Sequence, residues 1–505
     1  MRITIDKKSS TPVYIQIYEQ IRQQILSGEI IKGYRLPPER KFAETLGVNR
    51  STVLNAYREL KSKGLAASHV GQGTVITAHT DSCDTAPDCS IQEPFWNQLF
   101  SNYSNSVDTA AVNNLLMLAN RTNVISFATG MASPESGPAD ALEGIEKELL
   151  EEKNYKALMY SPTEGFSSLR EAICKIMRTR GIYCSLSEVM LLSGSQQGID
   201  IAARVLLDPG DLVFVEEPSF FPAIQAFKSV GAKVIGIPVD DGGMKVDILE
   251  QLIQRYRPKL IYTMTNFHNP CGVEMDLQRR KKLIELVHRY KVPVLEDDAY
   301  GDLCYDGQTL PSLKSMDSEG YVIYLSTFSK SVYSGLRLGW ISAHRRVIQR
   351  FTAAKQIIDL HSSSLSQRII ERFIANGGLH RHIQKICIEY KEKRDIMCAS
   401  LAKHAPQGLS WSVPRGGYYI WCRLPEGVYA SRLVTKAAAQ NVVIVPGTLF
   451  FTSGEGDNFI RLNFTFASQN DIIAGIKILC KAVKEIVDEN ENLEYQSPLE
   501  ISPVI

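Results

Sequence analysis

From about residue 94 onward, the sequence alternates between short apolar segments and stretches with helical periodicity. The apolar segments read EVMLLSG, DLVFVEEP, AKVIGIP, KLIYTMT, VPVLEDD and YVIYLST, and nearly all end in a polar or glycine-containing loop before the next helical stretch. This alternation predicts an α/β domain with a mainly parallel sheet. Ligands of such sheets bind at the carboxyl ends of the strands, so the residues after each apolar segment are the first candidates for a site.

The first 77 residues differ from the rest of the chain. At 505 residues the chain is too long for one ordinary hydrophobic core, so at least two domains are expected. The first 77 residues hold twelve Lys and Arg against six Asp and Glu, whereas the whole chain has a net charge of only +1. A basic end on a mildly acidic body is typical of a nucleic-acid-binding module.

Three helices and a hairpin are predicted in this basic end. TPVYIQIYEQIRQQILSGEI has apolar residues at helical spacing, RLPPERKFAETLGV opens with prolines, and NRSTVLNAYRELKSKG follows after a very short turn. Two helices joined by such a turn form a helix-turn-helix. LAASHVGQGTVIT then reads as two short strands that make a wing.

Five residues of this module are candidate contacts to double-stranded DNA. Asn49, Arg50, Ser51 and Thr52 stand at the start of the third predicted helix, and Arg40 opens the helix before it. Arg side chains read guanine edges, and Ser, Thr and Asn reach bases or phosphates. The alternative is that these residues only cap solvated helix ends. The helix-turn-helix, the wing and the local positive charge together favour DNA binding.

The stretch PVYIQIYEQIRQQILSGEIIKGYRLPPERKFAETLGVNRSTVLNAYRELKSKGLAASHVGQGTVI resembles the winged helix-turn-helix of the GntR family over nearly its whole length. We expect this domain to occupy residues 1–77. The acidic stretch AHTDSCDTAPDCSIQE, residues 78–93, has almost nothing to bury and is predicted to be a flexible linker. The α/β domain is then expected at 94–487, followed by a loose acidic tail at 488–505.

Residues that suit one cofactor follow the predicted strands. A helix that opens with Gly and Ser can bind an anion, a Phe can stack on a planar ring, and a carboxylate after a buried strand needs a partner. Alone, each has an ordinary structural alternative, such as a helix cap or a core side chain. Together they suggest pyridoxal 5'-phosphate, which needs a lysine for its aldehyde, a carboxylate for its ring nitrogen and donors for its phosphate. The residues are Gly194, Ser195, Gln196, Phe220, Asn269, Asp297, Tyr300 and Lys330.

The order and spacing of these motifs resemble the fold-type-I aminotransferases over residues 120–485. The resemblance implies a large pyridoxal-phosphate-dependent transferase domain with a smaller C-terminal α+β subdomain. It also implies that Lys330 in TFSK joins the cofactor aldehyde as a Schiff base and that Asp297 holds the ring nitrogen. These two are the candidate catalytic residues. Burial among neutral neighbours lowers the pKa of a lysine and favours the nucleophilic amine.

The same resemblance implies further contacts to the cofactor and the substrate. Phe220 would stack on the pyridine, while Asn269 and Tyr300 would bond the ring hydroxyl oxygen. Arg461 in FIRLNF would clamp the substrate α-carboxylate, with Gly130 nearby. Tyr160 would reach the phosphate bound by the other subunit of a homodimer. The implied phosphate-binding residues of the same subunit are Gly194, Ser195, Gln196, Thr327 and Arg337.

A GntR-type winged helix linked to an aminotransferase-like domain resembles the MocR family of transcriptional regulators. The resemblance implies a homodimer in which the large domain senses an amino compound or the cofactor itself and the small domain binds DNA. The alternative is a working aminotransferase that carries a DNA-binding module, because the residues needed for transamination are all present. The intact basic module favours the regulator.

The cysteine spacing and the hydropathy of the chain bear on metal sites, disulfides and membrane association. The ten cysteines are scattered and form no CxxC pair, so neither a zinc site nor a disulfide framework is predicted. MRITIDKKSS has no apolar targeting segment, and no apolar run reaches membrane-spanning length. We therefore expect a reduced cytoplasmic protein without a metal site and without a membrane association.

Overall fold

The chain divides into two compact units, Met1–Ser101 and Asn102–Ile505. The computed structural model describes residues 3–6, 11–26, 29–30, 33–69, 73–77, 100–101, 104, 124–151 and 158–495. The predicted linker at 78–93 lies outside these ranges, so the domain boundaries drawn from the sequence stay a prediction. Each unit is described by itself.

The first unit contains three helices and a two-stranded hairpin. The helices are α1 (Val13–Leu26), α2 (Glu39–Leu46) and α3 (Arg50–Ser62), and the antiparallel strands are β1 (Ala66–His69) and β2 (Gly73–Ile76). Gly47 ends α2 at a φ of 62°, a conformation that glycine adopts without steric cost. Since α3 begins three residues after Gly47, the predicted helix-turn-helix is confirmed. The antiparallel pair of β1 and β2 confirms the two strands of the wing.

Apolar side chains hold the three helices together. Ile17 and Ile21 of α1 and Val53 of α3 are fully buried, and the ring of Phe42 from α2 stacks on Tyr57 at 6.2 Å. Each such side chain contributes about 1.5–3 kcal/mol on burial. The core therefore fixes the helix-turn-helix while leaving its outer face to solvent.

An eight-stranded sheet forms the centre of the second unit, in the order β4-β11-β10-β9-β8-β5-β6-β7. Strands β5, β6, β8, β9 and β10 pair in parallel, whereas β11 runs antiparallel to both of its neighbours. The predicted mainly parallel sheet is confirmed, and all six predicted segments lie in it. The strands are β4 (Val189–Leu192), β5 (Leu212–Glu217), β6 (Lys233–Asp240), β7 (Gly243–Met244), β8 (Leu260–Thr263), β9 (Val294–Asp297), β10 (Val322–Thr327) and β11 (Gly339–Ser342).

Helices follow most of these strands and cover the sheet. Every residue of β4, β8, β9 and β10 is buried, as expected for parallel strands with helices on both faces. The helices of the second unit are α4 (Ala139–Glu151), α5 (Ser167–Thr179), α6 (Ser195–Leu206), α7 (Phe221–Ser229), α8 (Val246–Tyr256), α9 (Leu277–Tyr290), α10 (Leu313–Met316), α11 (Arg345–Asp359), α12 (Ser364–Ala375), α13 (Gly378–His404), α14 (Ala430–Ala438) and α15 (Gln469–Tyr495).

A smaller antiparallel sheet follows α13 and matches the predicted α+β subdomain. Its order is β12-β13-β16-β15, and a separate parallel pair joins β14 to β3. The pair links the chain near residue 125 to the subdomain. The strands are β3 (Ile125–Ser126), β12 (Ser410–Trp411), β13 (Tyr419–Arg423), β14 (Val442–Val443), β15 (Val445–Pro446) and β16 (Phe459–Asn463).

The last helix extends past the point where the sequence predicted a loose tail. α15 continues to Tyr495, although the tail was predicted from residue 488. Glu489 on its final turns accepts from Lys436 of α14 at 2.8 Å and pairs with Arg432 at 2.5 Å. These ion pairs attach Glu489 to α14, whereas the acidic composition of this segment had suggested a loose tail. Among the described residues, no helix is both long and apolar enough to cross a membrane.

Candidate functional site

A pocket of about 350 Å³ opens at the carboxyl ends of the parallel strands. It brings together residues that lie more than 330 positions apart, as the hydrogen bond from Arg461 to Ala128 illustrates. Its lining residues are Ala128, Thr129, Gly130, Ser195, Gln196, Phe220, Phe221, Pro222, Met264, Asn269, Asp297, Ala299, Tyr300, Ser329, Lys330, Ser334, Arg337, Tyr419, Val445, Leu449, Phe450 and Arg461.

Lys330 reaches into this pocket from the loop after β10. Its Nζ donates to the carbonyl of Gly130 at 2.5 Å and lies 5.9 Å from the ring centre of Tyr300. Burial lowers the pKa of Lys330, and the nearby positive charge of Arg461 acts in the same direction. A depressed pKa favours the neutral amine, which is the nucleophilic form.

Asp297 ends β9 and is almost completely buried. Its Oδ2 accepts from the hydroxyl of Tyr262 at 2.8 Å, whereas Oδ1 is buried with no hydrogen-bond partner among the described residues. Burial raises the pKa of Asp297 to about 7, although the bond from Tyr262 opposes the rise. A buried carboxylate with one free oxygen is costly unless a donor meets it. A protonated ring nitrogen would satisfy that oxygen.

Gly194, Ser195 and Arg337 form a cradle of donors beside the lysine. Gly194 precedes α6 at a φ of 94°, and a Cβ at this position would lie 2.3 Å from Nη2 of Arg337. Arg337 donates to the carbonyl of Ser193 at 3.0 Å. The first N–H groups of α6 also point out of the helix at Ser195. Close approach of a guanidinium to a helix start suits a phosphate group.

Ser329, which the sequence analysis did not name, lies next to the predicted phosphate contact Thr327. The Oγ1 of Thr327 lies 2.9 Å from Ser329 Oγ and accepts from the Ser329 amide at 3.1 Å. Ser329 lines the pocket, and Thr327 stands behind it. The phosphate contact of Thr327 stays a prediction, and its observed bonds support the loop that presents Ser329. The sequence did not single out Ser329, because STFSK offers three hydroxyl side chains, Ser326, Thr327 and Ser329, within four residues.

Arg461 belongs to β16 and also lines the pocket. Its Nη1 donates to Asn269 Oδ1 at 3.0 Å and its Nη2 to the Ala128 carbonyl at 2.9 Å, while Nε is buried without a partner among the described residues. The guanidinium carbon sits 4.1 Å from the ring centre of Tyr419 and 5.0 Å from that of Phe450. These two aromatic residues were missed by sequence reasoning, because nothing local pairs them with Arg461.

Tyr300 and Tyr419 both line the pocket and bring their phenol groups together. The hydroxyl of Tyr300 donates to that of Tyr419 at 3.2 Å. Burial raises the pKa of Tyr300 well above its ordinary value. Burial opposes ionisation of Tyr419 as well, but the charges of Arg461 and Lys330 outweigh it and lower the pKa of Tyr419. Tyr419 is therefore the phenol better suited to hold a negative charge.

The remaining predicted residues divide into two groups. Phe220 and Gln196 line the pocket, and Gln196 also donates to the Pro222 carbonyl at 3.2 Å. Tyr160 does not line it. The side chain of Tyr160 is 84 % exposed, with its ring edge-on to His361 at 5.5 Å. Its predicted role concerns another subunit and stays a prediction.

The residues present fit pyridoxal 5'-phosphate. The unpartnered Oδ1 of Asp297, the depressed pKa of Lys330 and the cradle around Gly194 match the ring nitrogen, the aldehyde and the phosphate of that cofactor. Phe220 lines the same pocket, and its stacking on the ring stays a prediction. None of these features requires a metal.

The candidate DNA contacts lie on the surface of the first unit. The side chains of Arg40 and Arg50 are 86 % and 70 % exposed, and each has one carboxylate neighbour. Asn49 precedes α3 but makes no side-chain cap, so the capping alternative does not account for it. Ser51 is exposed and Thr52 partly so. This face offers cations to an approaching polyanion.

Two family models match the chain. The model described as "Aminotransferase class I and II" matches residues 122–476, and that of "Bacterial regulatory proteins, gntR family" matches residues 13–76. The first covers well over half of the chain. The second coincides with the three helices and the hairpin of the first unit.

Relatives of two kinds are similar to the chain. The aromatic-amino-acid aminotransferase 1 of Thermococcus litoralis is 40 % identical over 77 % of this chain and 95 % of its own length. The uncharacterized HTH-type transcriptional regulator YisV of Bacillus subtilis is 32 % identical over 95 % of this chain and 98 % of its own. The probable rhizopine catabolism regulatory protein MocR of Rhizobium meliloti is 26 % identical over 88 % of each chain.

A solved structure confirms the fold and supports the cofactor. The α-aminoadipate aminotransferase LysN of Thermus thermophilus, complexed with N-(5'-phosphopyridoxyl)-L-leucine, matches with a TM-score of 0.74 and 33 % identity, over 78 % of this chain and 99 % of its own. By fold and by site, the chain belongs to the class I and II aminotransferase family. Its GntR-type unit places it, within that family, among the MocR-type regulators, as the sequence predicted.

Proposed function

We propose that this protein is a pyridoxal-phosphate-dependent transcriptional regulator that senses an amino compound in its large unit and binds operator DNA through its first unit. The observation that carries the proposal is the joint presence of a complete cofactor pocket and an exposed basic helix-turn-helix in one chain. Full-length relatives with the same two parts support it.

The pocket residues divide the work of recognition. Bound pyridoxal 5'-phosphate supplies an aldehyde that amines attack and a ring that withdraws electrons. Arg337 and the start of α6 would hold the phosphate, and Asp297 would hold the ring nitrogen in its protonated form. Arg461 binds the carboxylate of an incoming amino acid in the two-point manner of a guanidinium. Lys330 would bond to the aldehyde carbon, and an incoming amine that takes its place would release it as the neutral amine that its lowered pKa favours.

Sensing by this pocket is a coupled equilibrium. An amino compound that displaces Lys330 from the cofactor changes the charges and contacts of that lysine. The compound shifts DNA binding only by the difference between its affinities for the two states, typically about 1–3 kcal/mol. The same argument applies if the cofactor itself is the signal.

A homodimer is part of the proposal, with an apolar surface patch as its support. Leu158, Met159 and Tyr160 are more than half exposed, and so are Ile357 and Leu360. The contact between Tyr160 and His361 brings the two segments side by side. Exposed apolar patches of this kind mark association surfaces. A twofold dimer would present two recognition helices to a pair of operator half-sites.

A second candidate function is transamination. Lys330, Asp297, Asn269, Arg337 and Arg461 all line the pocket, so the groups that the reaction requires are present. The pocket alone therefore does not separate an enzyme from a sensor. The exposed arginines of the first unit favour the regulator, because an enzyme has no use for them.

Footprinting with and without cofactor and candidate amino acids, paired with a single-turnover transamination assay, tests the proposal. We expect a specific footprint that changes on addition of an amino acid. Turnover at enzyme-like rates without any specific DNA site would overturn the regulator and favour the enzyme.

A further inference from the structure

The wall of the pocket beside Arg461 is apolar. Val445 pairs directly with Arg461 between β15 and β16, and the ring centre of Phe450 lies 5.0 Å from the guanidinium carbon. Leu449, next in the chain to Phe450, also lines the pocket. An amino acid whose α-carboxylate is bound by Arg461 would therefore have its side chain close to apolar groups.

Each charged side chain of the pocket already has a partner in the proposed function. Among the described lining residues, the charged ones are Asp297, Lys330, Arg337 and Arg461. In the proposed function these meet the ring nitrogen, the aldehyde, the phosphate and the α-carboxylate. No cation remains for a second carboxylate, and no anion remains for a side-chain ammonium. A charged side chain would lose its hydration here without gaining a partner.

We infer that the effector is an α-amino acid with an uncharged, largely apolar side chain. This inference rests on the proposed function, since it assumes that amino acids enter this pocket. Apolar burial against Val445, Leu449 and Phe450 would add to the affinity that the carboxylate clamp provides.

Titration calorimetry on the full chain loaded with cofactor measures this preference. We expect leucine, methionine and phenylalanine to bind at least about tenfold more tightly than aspartate, glutamate and lysine. Leu449→Arg should narrow or reverse the gap between leucine and glutamate, because it adds a cation to the apolar wall. Val413→Arg adds the same cation at an exposed position outside the pocket lining, so it is the matched control and should preserve the wild-type order.

Each outcome bears on a different proposal. Equal or tighter binding of the dicarboxylic amino acids, or no binding of any amino acid, would overturn the apolar effector. Preferred binding of apolar amino acids without any change in the DNA footprint would leave this inference standing and overturn the sensing function instead.

A second inference concerns a buried lysine behind the phosphate cradle. Lys355 of α11 has a fully buried side chain and donates to both carboxylate oxygens of Asp359, at 2.7 and 2.8 Å, and to Gln197 Oε1 at 3.1 Å. None of these three residues lines the pocket. Burying an ammonium group is costly even when it is paired, so the arrangement calls for a reason beyond stability.

The network around Lys355 ends on Ser193, the residue that directly precedes the cradle residues Gly194 and Ser195. Ser193 Oγ donates to Asp359 Oδ2 at 2.7 Å, and the Ser193 amide donates to Gln197 Oε1 at 2.8 Å. The Ser193 carbonyl in turn accepts from Arg337. Ser193 directly precedes the glycine and the serine at which α6 begins. Its three polar groups are thus fixed, two by the network and one by the phosphate-binding arginine.

We propose that Lys355 and Asp359 are positioning residues that hold the phosphate cradle through Ser193. They act on the phosphate end of the cofactor and on no other part of it. Loss of the network would let the Ser193 segment relax, so that the start of α6 and Arg337 would no longer point at one anion.

Comparison of pyridoxal 5'-phosphate with unphosphorylated pyridoxal separates this role from a general structural one. For Lys355→Met in the full chain, we expect about tenfold or greater loss of affinity for the phosphorylated compound and no change for pyridoxal. Ser193→Ala removes one hydroxyl with little volume change and should show a smaller loss with the same selectivity. Lys391→Met is the matched control, because Lys391 forms an i,i+4 pair with Asp395 on the exposed face of α13.

An equal loss for both compounds would show that the network only stabilises the fold, and unchanged affinities would show that it does not position the cradle. Either result overturns the proposal. If Lys355→Met fails to fold, the Ser193→Ala selectivity decides the question by itself.

Discussion

The two units build their sites in opposite ways. The candidate DNA contacts come from one continuous stretch, residues 40–52, and project their charges into solvent. The cofactor pocket collects residues from strand ends hundreds of positions apart, and Asp297 and Arg461 within it are 1 % and 7 % exposed. Substitutions in the first site should therefore change binding alone, whereas substitutions in the second should change binding and stability together.

The largest effect is expected for Lys330→Ala, which removes the amine that holds the cofactor. The visible absorbance of lysine-bound pyridoxal phosphate should disappear, because no other described lining residue carries an amine. Absorbance spectroscopy of the reconstituted protein checks this, with Lys282→Ala on the surface as the control. Unchanged absorbance would mean that another residue holds the cofactor.

Arg461→Ala should weaken amino-acid binding strongly and spare cofactor binding. Removal of a buried guanidinium from a carboxylate partner costs about 2–5 kcal/mol. Arg461→Lys keeps the charge but loses the two-point geometry, so it should recover only part of the affinity. Calorimetric titration with an amino acid measures both variants. An unaltered affinity in Arg461→Ala would place the carboxylate clamp elsewhere.

Asp297→Asn should alter how the stability of the cofactor-free protein depends on pH. Burial holds the pKa of Asp297 at about 7, above the ordinary value of 3.8. Below pH 4 the carboxyl is protonated in both the folded and the unfolded state, so it costs nothing. Between pH 4 and 7 the carboxyl of Asp297 is ionised in the unfolded state but still protonated in the folded state. The free energy of unfolding therefore falls by up to about 1.4 kcal/mol per pH unit.

The asparagine variant does not titrate, so it should gain stability relative to the wild type as the pH rises from 4 to 7. The total gain is on the order of 2–4 kcal/mol. Calorimetric melting of the large unit at several pH values measures the difference. A constant difference across this range would show that the pKa of Asp297 is not raised.

Arg50→Ala is expected to have the smallest of these effects and to leave stability unchanged. A bidentate contact to a base contributes about 1–3 kcal/mol, and the side chain is mostly solvated in the free protein. Footprint titration on the operator measures the loss. Arg22→Ala is a suitable control, since Arg22 is an exposed arginine of α1 paired with Glu19. Equal losses for both variants would indicate only nonspecific attraction.

Much of the fold could be predicted because the spacing of apolar residues along the chain indicates helices and strands. Each of the six apolar segments became a strand of the large sheet, and Gly47 marked the end of α2 as its backbone requirement suggests. The tail differed: α15 continues to Tyr495 because Glu489 meets basic residues of α14, and those contacts are invisible to composition.

Ten of the 22 residues that line the pocket were among those predicted from the sequence, and several of them stand within a few residues of a strand end. What remained hidden depended on side-chain direction and on distant partners. Ser329 rather than Thr327 faces the pocket, and Tyr419 and Phe450 flank Arg461. Thr327 ends β10 and Ser329 follows two residues later in the loop, where the regular alternation of a strand no longer determines which hydroxyl faces a ligand.

The sequence by itself determined the two kinds of module, their order, and the lysine, aspartate and arginines that suit pyridoxal phosphate. The spacing of residues within a helix or at a strand end is a local property, so it can be read directly from the sequence. Only the tertiary structure decided which groups meet. Lys355 lies 158 residues from Gln197, and the network they form with Asp359 exists only because α11 packs against α6. Contacts of this range depend on how elements pack, which the pattern of a single segment does not encode.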